Sequence, residues 1–238
     1  MAATAAILLP RRPERMRVPL PSTETGVKRE VQPGVWLDSR RALWLESERI
    51  VVLADLHWGY ALSHRARGSL LPAWGDESIA SRLQALIAEY RPEEMVWLGD
   101  VVHAAEGGPL AEEFVANSNA RITVLAGNHD RRWNGAAAEH AQRGRYFLHH
   151  GDRPRRIPSG CVEVIGHHHP AVHWHDGAGG SLKLPALVAS AERLVLPAFS
   201  PWAAGAGCDA LRSSGSTVWA ITPRRIFILA PTQHPAVA

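Results

Sequence analysis

The stretch Ile50-Val51-Val52-Leu53-Ala54-Asp55-Leu56-His57-Trp58-Gly59 passes from an apolar run straight into a carboxylate, an imidazole and a glycine. Its apolar start reads as a short buried strand. Asp55 and His57 sit two apart where that strand gives way to a loop. In an extended chain that spacing points both side chains to one face. A carboxylate and an imidazole so placed can grip one divalent cation. Alone, Asp-x-His is a weak signal, because the two residue types share loops by chance. The same event recurs down the chain, and the recurrence gives it weight.

Met95-Val96-Trp97-Leu98 runs into Gly99-Asp100, and Ile122-Thr123-Val124-Leu125 runs into Gly127-Asn128-His129-Asp130. Tyr146-Phe147-Leu148 ends in His149-His150-Gly151-Asp152, and Val162-Glu163-Val164-Ile165 ends in Gly166-His167-His168-His169. Between these strands, Ile79, Leu83, Leu86, Ile87 and Tyr90 recur at helical spacing up to Arg91-Pro92, where proline stops the helix. A second helix is expected near Pro109 to Asn117. Upstream, Val35-Trp36-Leu37 and Ala42-Leu43-Trp44-Leu45 read as a hairpin. Residues 58–76, rich in Trp, Arg, Gly and Pro without a steady period, read as a long loop. Beyond residue 180 the pattern is all strand, over Ser181 to Leu187, Arg193 to Pro197, Thr217 to Ile221 and Ile226 to Leu229. Strand–helix alternation followed by strands places the chain in the layered α/β class, with a mixed sheet or two sheets.

Composition bounds the function classes. The 238 residues, 46% hydrophobic and 21% charged, are those of an ordinary globular protein with room for a sizeable core. No apolar run approaches the roughly 20 residues that span a bilayer, so no membrane role is expected. Two cysteines, Cys161 and Cys208, argue against a disulfide framework and for a reducing cytoplasm. Residues 1–27 read as a flexible N-terminal arm and 28–238 as one domain. A net charge of +3 permits an anionic partner without requiring one. The 13 histidines are the anomaly.

Five strand ends deliver Asp55, His57, Asp100, Asn128, His129, His150, His167 and His169. In open α/β sheets, ligands bind beyond the carboxyl ends of the strands. Any one of these histidines, taken singly, is an ordinary surface or core residue; the set at successive strand ends is not. Oxygen and imidazole donors without thiolate suit Mn, Fe, Zn or Mg. The neighbouring glycines 99, 127, 151 and 166 fit tight turns around a shared centre.

In order, Asp55-x-His57, Gly99-Asp100, Gly127-Asn128-His129-Asp130, His150-Gly151 and Gly166-His167-x-His169 resemble the motif set of calcineurin-like metallophosphoesterases, over residues 35 to 200. Ala42-Leu43-Trp44, Gly99-Asp100-Val101-Val102-His103 and Leu194-Val195-Leu196-Pro197-Ala198-Phe199 are similar to the bacterial DNA-ligase-associated members. The resemblance implies a four-layer αββα sandwich of two mixed β-sheets flanked by helices, with two divalent ions, manganese first and iron or zinc as alternatives. It implies Asp55, His57 and His169 around one metal, Asn128, His150 and His167 around the other, and Asp100 bridging them. It further implies a bridging hydroxide as nucleophile, His129 assisting the leaving group, and Asp130 orienting His129.

The remaining histidines read more plainly. His149 points away from the ligand beside it, and His168 faces solvent or substrate. His64, His103, His173 and His175 read as structural or surface, with His103 and His173 the first candidates for substrate contact. Substrate contacts are expected from Trp58, Arg65 and Arg67 in the long loop and from Arg131 after the catalytic motif. Arginine pairs with phosphate and tryptophan stacks on bases. The expected reaction is hydrolysis of a phosphodiester, in single-stranded nucleic acid or a nucleotide. The alternatives are a phosphomonoesterase on a small metabolite or nucleotide and a catalytically silent scaffold. The resemblance also implies an association with DNA-repair ligase or helicase machinery.

Overall fold

The computed structural model describes residues 26–229 except 73, 176–177 and 204. Most of the expected N-terminal arm lies outside the described residues. Six strands form the first sheet in chain order: β1 (Lys28–Gln32), β2 (Val35–Asp38), β3 (Ala42–Leu45), β4 (Ile50–Leu53), β5 (Glu94–Trp97) and β6 (Arg121–Val124). The first four pair antiparallel; β4, β5 and β6 run parallel, which needs crossovers. Helices α1 (Tyr60–Ala66) and α2 (Trp74–Tyr90) lie in the first crossover and α3 (Gly108–Asn117) in the second.

The second sheet contains β7 (His140–Arg143), β8 (Tyr146–His149), β9 (Val162–Ile165), β10 (Pro170–His175), β11 (Ser181–Ala189), β12 (Arg193–Val195), β13 (Ala206–Gly207), β14 (Thr217–Thr222) and β15 (Arg225–Ile228). Its order is β13-β10-β11-β12-β9-β8-β7, with β14 pairing β11 and β15. Parallel pairing at β8–β9 and β9–β12 makes it mixed.

Period-two alternation explains the layering. Ile50 and Val52 of β4 and Val96 of β5 face Val162 and Val164 of β9 in a core between the sheets. Val51, Leu53, Met95 and Trp97 point the other way, onto Ile79, Leu83 and Leu86 of α2. Strands covered on both faces are apolar throughout, and every residue of β4 and β5 is buried. The expected sandwich of two mixed sheets is therefore present, and it is unequal. Among the described residues, the outer face of the second sheet packs against Cys208 and Leu211 at a single 3-10 turn, Asp209–Leu211, where the first sheet has α2 and α3.

Two local expectations need correcting. The stretch 58–76 is not all loop, because α1 lies within it and α2 begins at Trp74 rather than at Ile79. Seven residues make fewer than two helical turns, too few to display a period. Asp76 and Glu77 occupy the first turn of α2, where carboxylates favour the positive end of the helix dipole.

Candidate metal centre

The ends of β4, β5, β6, β8 and β9 converge at one edge of the two sheets. Asp55, His57, Asp100 and His169 bring ligand atoms within 4.8 Å of one another, and so do Asp100, His150 and His167. Asp100 belongs to both groups. Asn128 joins the second, its Oδ1 lying 3.0 Å from His150 Nε2. The seven residues expected to hold metal are thus assembled, with His57 and His169 alone 112 residues apart in the chain.

The backbone reaches this arrangement by a route that extended spacing does not describe. Asp55, His57, Asp100, His167 and His169 have φ of 57°, 50°, 49°, 63° and 45°. Left-handed conformations cost a non-glycine residue energy and gather at functional sites. The two side chains of each i, i+2 pair converge because both residues turn left-handed, not because the strand continues. Glycine is required where the loops touch: a Cβ on Gly127 would stand 2.3 Å from the Asp100 amide nitrogen and carboxylate.

The donor set fits a cation. His150 Nδ1 donates to the Leu98 carbonyl at 2.7 Å, which leaves Nε2 with its lone pair facing the site. His150 Nε2 lies 3.1 Å from His167 Nδ1, and His57 Nε2 lies 3.5 Å from His169 Nε2. Ring nitrogens facing one another at such distances need a proton or a metal ion between them. Burial lowers the His57 pKa to about 3 against the opposing charge of Asp55, so that ring is neutral at physiological pH. Burial also lowers His167, and the charge of His150 adds to it. At His169 burial acts downward, but the hydrogen bond to Asp55 and the charges of Asp55 and Asp100 win and raise it. Asp100 is raised, chiefly by burial, with His150 opposing.

His129 and Asp130 divide in role. His129 is exposed, its ring centred 6.0 Å from that of His57, and its backbone N–H donates to Asp100 Oδ1 at 2.9 Å. Its imidazole belongs to neither ligand group. Asp130 binds loops rather than the imidazole. Its Oδ1 accepts from Val101 and Val102 at 2.7 and 3.2 Å, and its Oδ2 from Gly127 at 2.9 Å. Among the described residues no hydrogen bond joins its carboxylate to the His129 ring, so Asp130 is a positioning residue.

Trp58 is a correction. It is 2% exposed and packs against Phe114 under the first sheet, so it cannot stack on a base. A tryptophan just past a strand end is read as well by the core as by a ligand. Arg65 is exposed but turns back to donate to Leu71 O at 2.9 Å. Arg67 and Arg131 are exposed; the charge of Arg67 is felt at His103, which burial and His64 already hold below the usual imidazole value. His103 lies beside the site, ring centroid 5.6 Å from His57. Tyr60 and His64 complete this wall, with Tyr60 centred 4.6 Å from His64 and 4.5 Å from His103. Tyr60 escapes a reading that sees no helix here; its i, i+4 spacing to His64 is the available signal. His149 points away from its neighbour His150 as expected and is buried, its Nε2 2.9 Å from Glu163 Oε1.

Two mixed sheets with paired acid–imidazole groups at one set of strand ends are the frame of a metallophosphoesterase. Residues 48–187, more than half of the chain, match the calcineurin-like phosphoesterase family, and the chain belongs to it. Membership makes the protein a metal-dependent hydrolase. The fold is shared with the solved nuclease MPE of Pseudomonas putida, which is 23% identical with a TM-score of 0.67 over 86% of this chain and 100% of that one. Yfce, a phosphoesterase from E. coli, is 16% identical over 76% of this chain and 96% of its own, and its TM-score of 0.39 is too low to carry weight. No curated protein matches. Among the described residues no helix is long and apolar enough to cross a membrane.

Proposed function

We propose that the protein hydrolyses phosphodiesters of single-stranded nucleic acid or nucleotides with two divalent cations, manganese foremost. The observation that carries the reading is the pair of ligand groups sharing Asp100. A carboxylate has two oxygens and can serve two ions. Cations held there would bind phosphate oxygens and activate water near neutral pH. The mixed oxygen and imidazole donors admit manganese, iron or zinc.

The chain's own residues supply the rest. Asp55, His57 and His169 would hold one ion, and Asn128, His150 and His167 the other. The exposed His129 donates a proton to the departing oxygen. Asp130 keeps the β5 and β6 loops in register, so that His129 and Asp100 keep their spacing. The diester preference rests on charge. Arg67, whose charge reaches His103, and Arg131, two residues after His129, are exposed, where flanking phosphates of a strand would meet them. The nuclease from Pseudomonas putida with the same fold points in the same direction.

The test offers manganese-loaded protein a bis-aryl phosphodiester, an aryl phosphomonoester and single-stranded DNA. Diester and DNA should be cleaved, and a chelator should stop both. Rapid monoester hydrolysis with an untouched diester would replace the reading with a phosphomonoesterase.

A further inference from the structure

The two arginines at the β2–β3 turn keep opposite company. Arg40 is buried among acids, with Nε and Nη2 donating to Asp38 at 2.8 and 2.6 Å and Nη2 also to Glu89 at 2.6 Å. Arg41, at φ 67°, meets carbonyls instead. Its Nη1 donates to Ala198 O at 3.2 Å and Ser200 O at 2.7 Å. Arg82 of α2 does the same, with Nη2 on Phe199 O at 2.6 Å and its guanidinium 4.1 Å from the Phe199 ring centre. Among the described residues neither Arg41 nor Arg82 has a carboxylate within ion-pair distance. Burial lowers Arg41 to about 10; burial and then the charge of Arg41 lower Arg82 to about 9.

Buried cations are normally paired, because taking a charge out of water is costly unless an opposite charge or hydrogen bonds replace the hydration. Two adjacent ones without an acid mark a place where negative charge is welcome. Arg41 lines a cavity of about 310 Å³ together with His169, Lys183, Pro185, Pro201 and Trp202. Lys183 also ends on a carbonyl, donating to Gly205 O at 2.7 Å. Its cross-strand partner His173 is exposed and lies on the same face of the hairpin. His169 is at once a wall of this cavity and a member of the Asp55 ligand group, so the cavity adjoins the candidate metal centre.

We propose that this cavity is a second phosphate subsite, holding the phosphate and ring of the nucleotide next to the diester at the metal centre. Arg41 and Lys183 take the phosphate, Arg41 through donors not spent on Ala198 and Ser200. Trp202, fixed by Trp74 at a ring separation of 4.8 Å, and the two prolines give the ring an apolar wall. The inference rests on the phosphodiesterase reading and deepens it.

The experiment measures inhibition of bis-aryl phosphodiester hydrolysis by three compounds: a thymidine dinucleotide and the same dinucleotide with an added 5′ or 3′ phosphate. One phosphorylated compound should inhibit about 10-fold more tightly than the parent, the gain of one charge-assisted contact. In Lys183→Ala the ratio of the two inhibition constants should fall toward unity; the ratio cancels any change at the metals. A ratio near unity in the native protein, or a gain that survives Lys183→Ala, overturns the subsite while leaving the phosphodiesterase reading intact. Absent hydrolysis of the aryl diester itself overturns that reading.

Discussion

The Asp55 carboxylate accepts the backbone N–H of His167 through both oxygens, at 3.2 and 3.0 Å, across 112 residues of chain. Asp55 follows β4 of the first sheet and His167 follows β9 of the second. One acid therefore faces the cation site and also seams the two sheets. The seam continues where Phe199 N–H donates to Ala54 O at 2.8 Å and Ser200 N–H to Asp55 O at 3.0 Å. Gly166 makes the approach possible, since a Cβ there would stand 2.4 Å from that of Ala54.

Removing this acid should therefore cost stability as well as metal. In chelator-treated protein, Asp55→Ala should lose about 1–3 kcal/mol in urea unfolding, the cost of leaving a buried donor without its acceptor. Asp55→Asn keeps an acceptor oxygen and should lose less. Both should lose metal from the first ligand group. An Asp55→Ala protein as stable as the native one without metal would show the seam to be idle.

Asp100 should matter to both ions. Asp100→Asn removes one charge from each ligand group. Elemental analysis of manganese-loaded protein should fall from about two ions per chain to one or fewer, and turnover by at least about 100-fold. His168→Ala, which removes a half-buried neighbour outside both groups, should leave metal content nearly unchanged. A full complement of metal in Asp100→Asn would remove the shared-ligand assignment.

Gly127→Ala tests the fit of the loops without touching a donor. Its methyl group would meet backbone and carboxylate of Asp100 at 2.3 Å, and those atoms are held by buried loops. The expected outcome is a folded protein with weakened metal binding and a lower Tm. Gly160→Ala, where no atom lies within 4 Å of the added Cβ, is the contrast for the change of residue type, though its φ of 79° adds strain of its own.

Much of the centre was legible because its parts are local. An apolar run ending in Asp-x-His or Gly-His-x-His can be read without knowing what lies beside it, and β4, β5, β8 and β9 carry such runs. What depends on distant partners was not legible. β7 reads His-Ala-Gln-Arg, with no apolar pattern, and exists because it pairs with β8. The outer half of β10 is exposed and is held by β11. The left-handed backbone at five of the proposed ligands leaves no mark in composition. Trp58 misled because strand-end tryptophans serve the core as readily as a substrate. Arg40 and Arg41 are identical in sequence terms, and only the fold separates the paired cation from the unpaired one.

Acidification should release metal through His169 before His57. An imidazole must be neutral to hold a cation, so protons and metal compete for it. His57 takes up a proton only near pH 3, whereas His169 is raised above the usual 6.5 by Asp55 and Asp100 against its own burial. A raised pKa makes the protonated form stabilising in the metal-free fold. That stabilisation is fully present below the unfolded imidazole value and is lost as pH rises through the folded one. Through His169 the metal-free fold gains on acidification, while His57 and His167, both lowered by burial, act in the other direction. Calorimetry near pH 6.5 should find proton release on manganese binding, reduced in His169→Gln. Binding without proton release would place His169 in its neutral form at that pH.

His129 should act in the chemical step without being needed to hold metal. Its backbone N–H is fixed by Asp100 while its ring is exposed beside His57, close to the site and outside both ligand groups. A positioned acid is worth about 10²–10⁴ in rate, because it neutralises the leaving oxygen as the bond breaks. His129→Ala should keep its metal and fold and lose turnover by that order on substrates whose leaving group is an alkoxide, such as a ribose hydroxyl. With nitrophenolate, which departs readily as an anion, the loss should shrink. The comparison is kcat for the two substrate classes in native and His129→Ala protein, with metal content measured on the same samples. Equal losses for both leaving groups would assign His129 to holding the phosphate, and lost metal would make it a ligand.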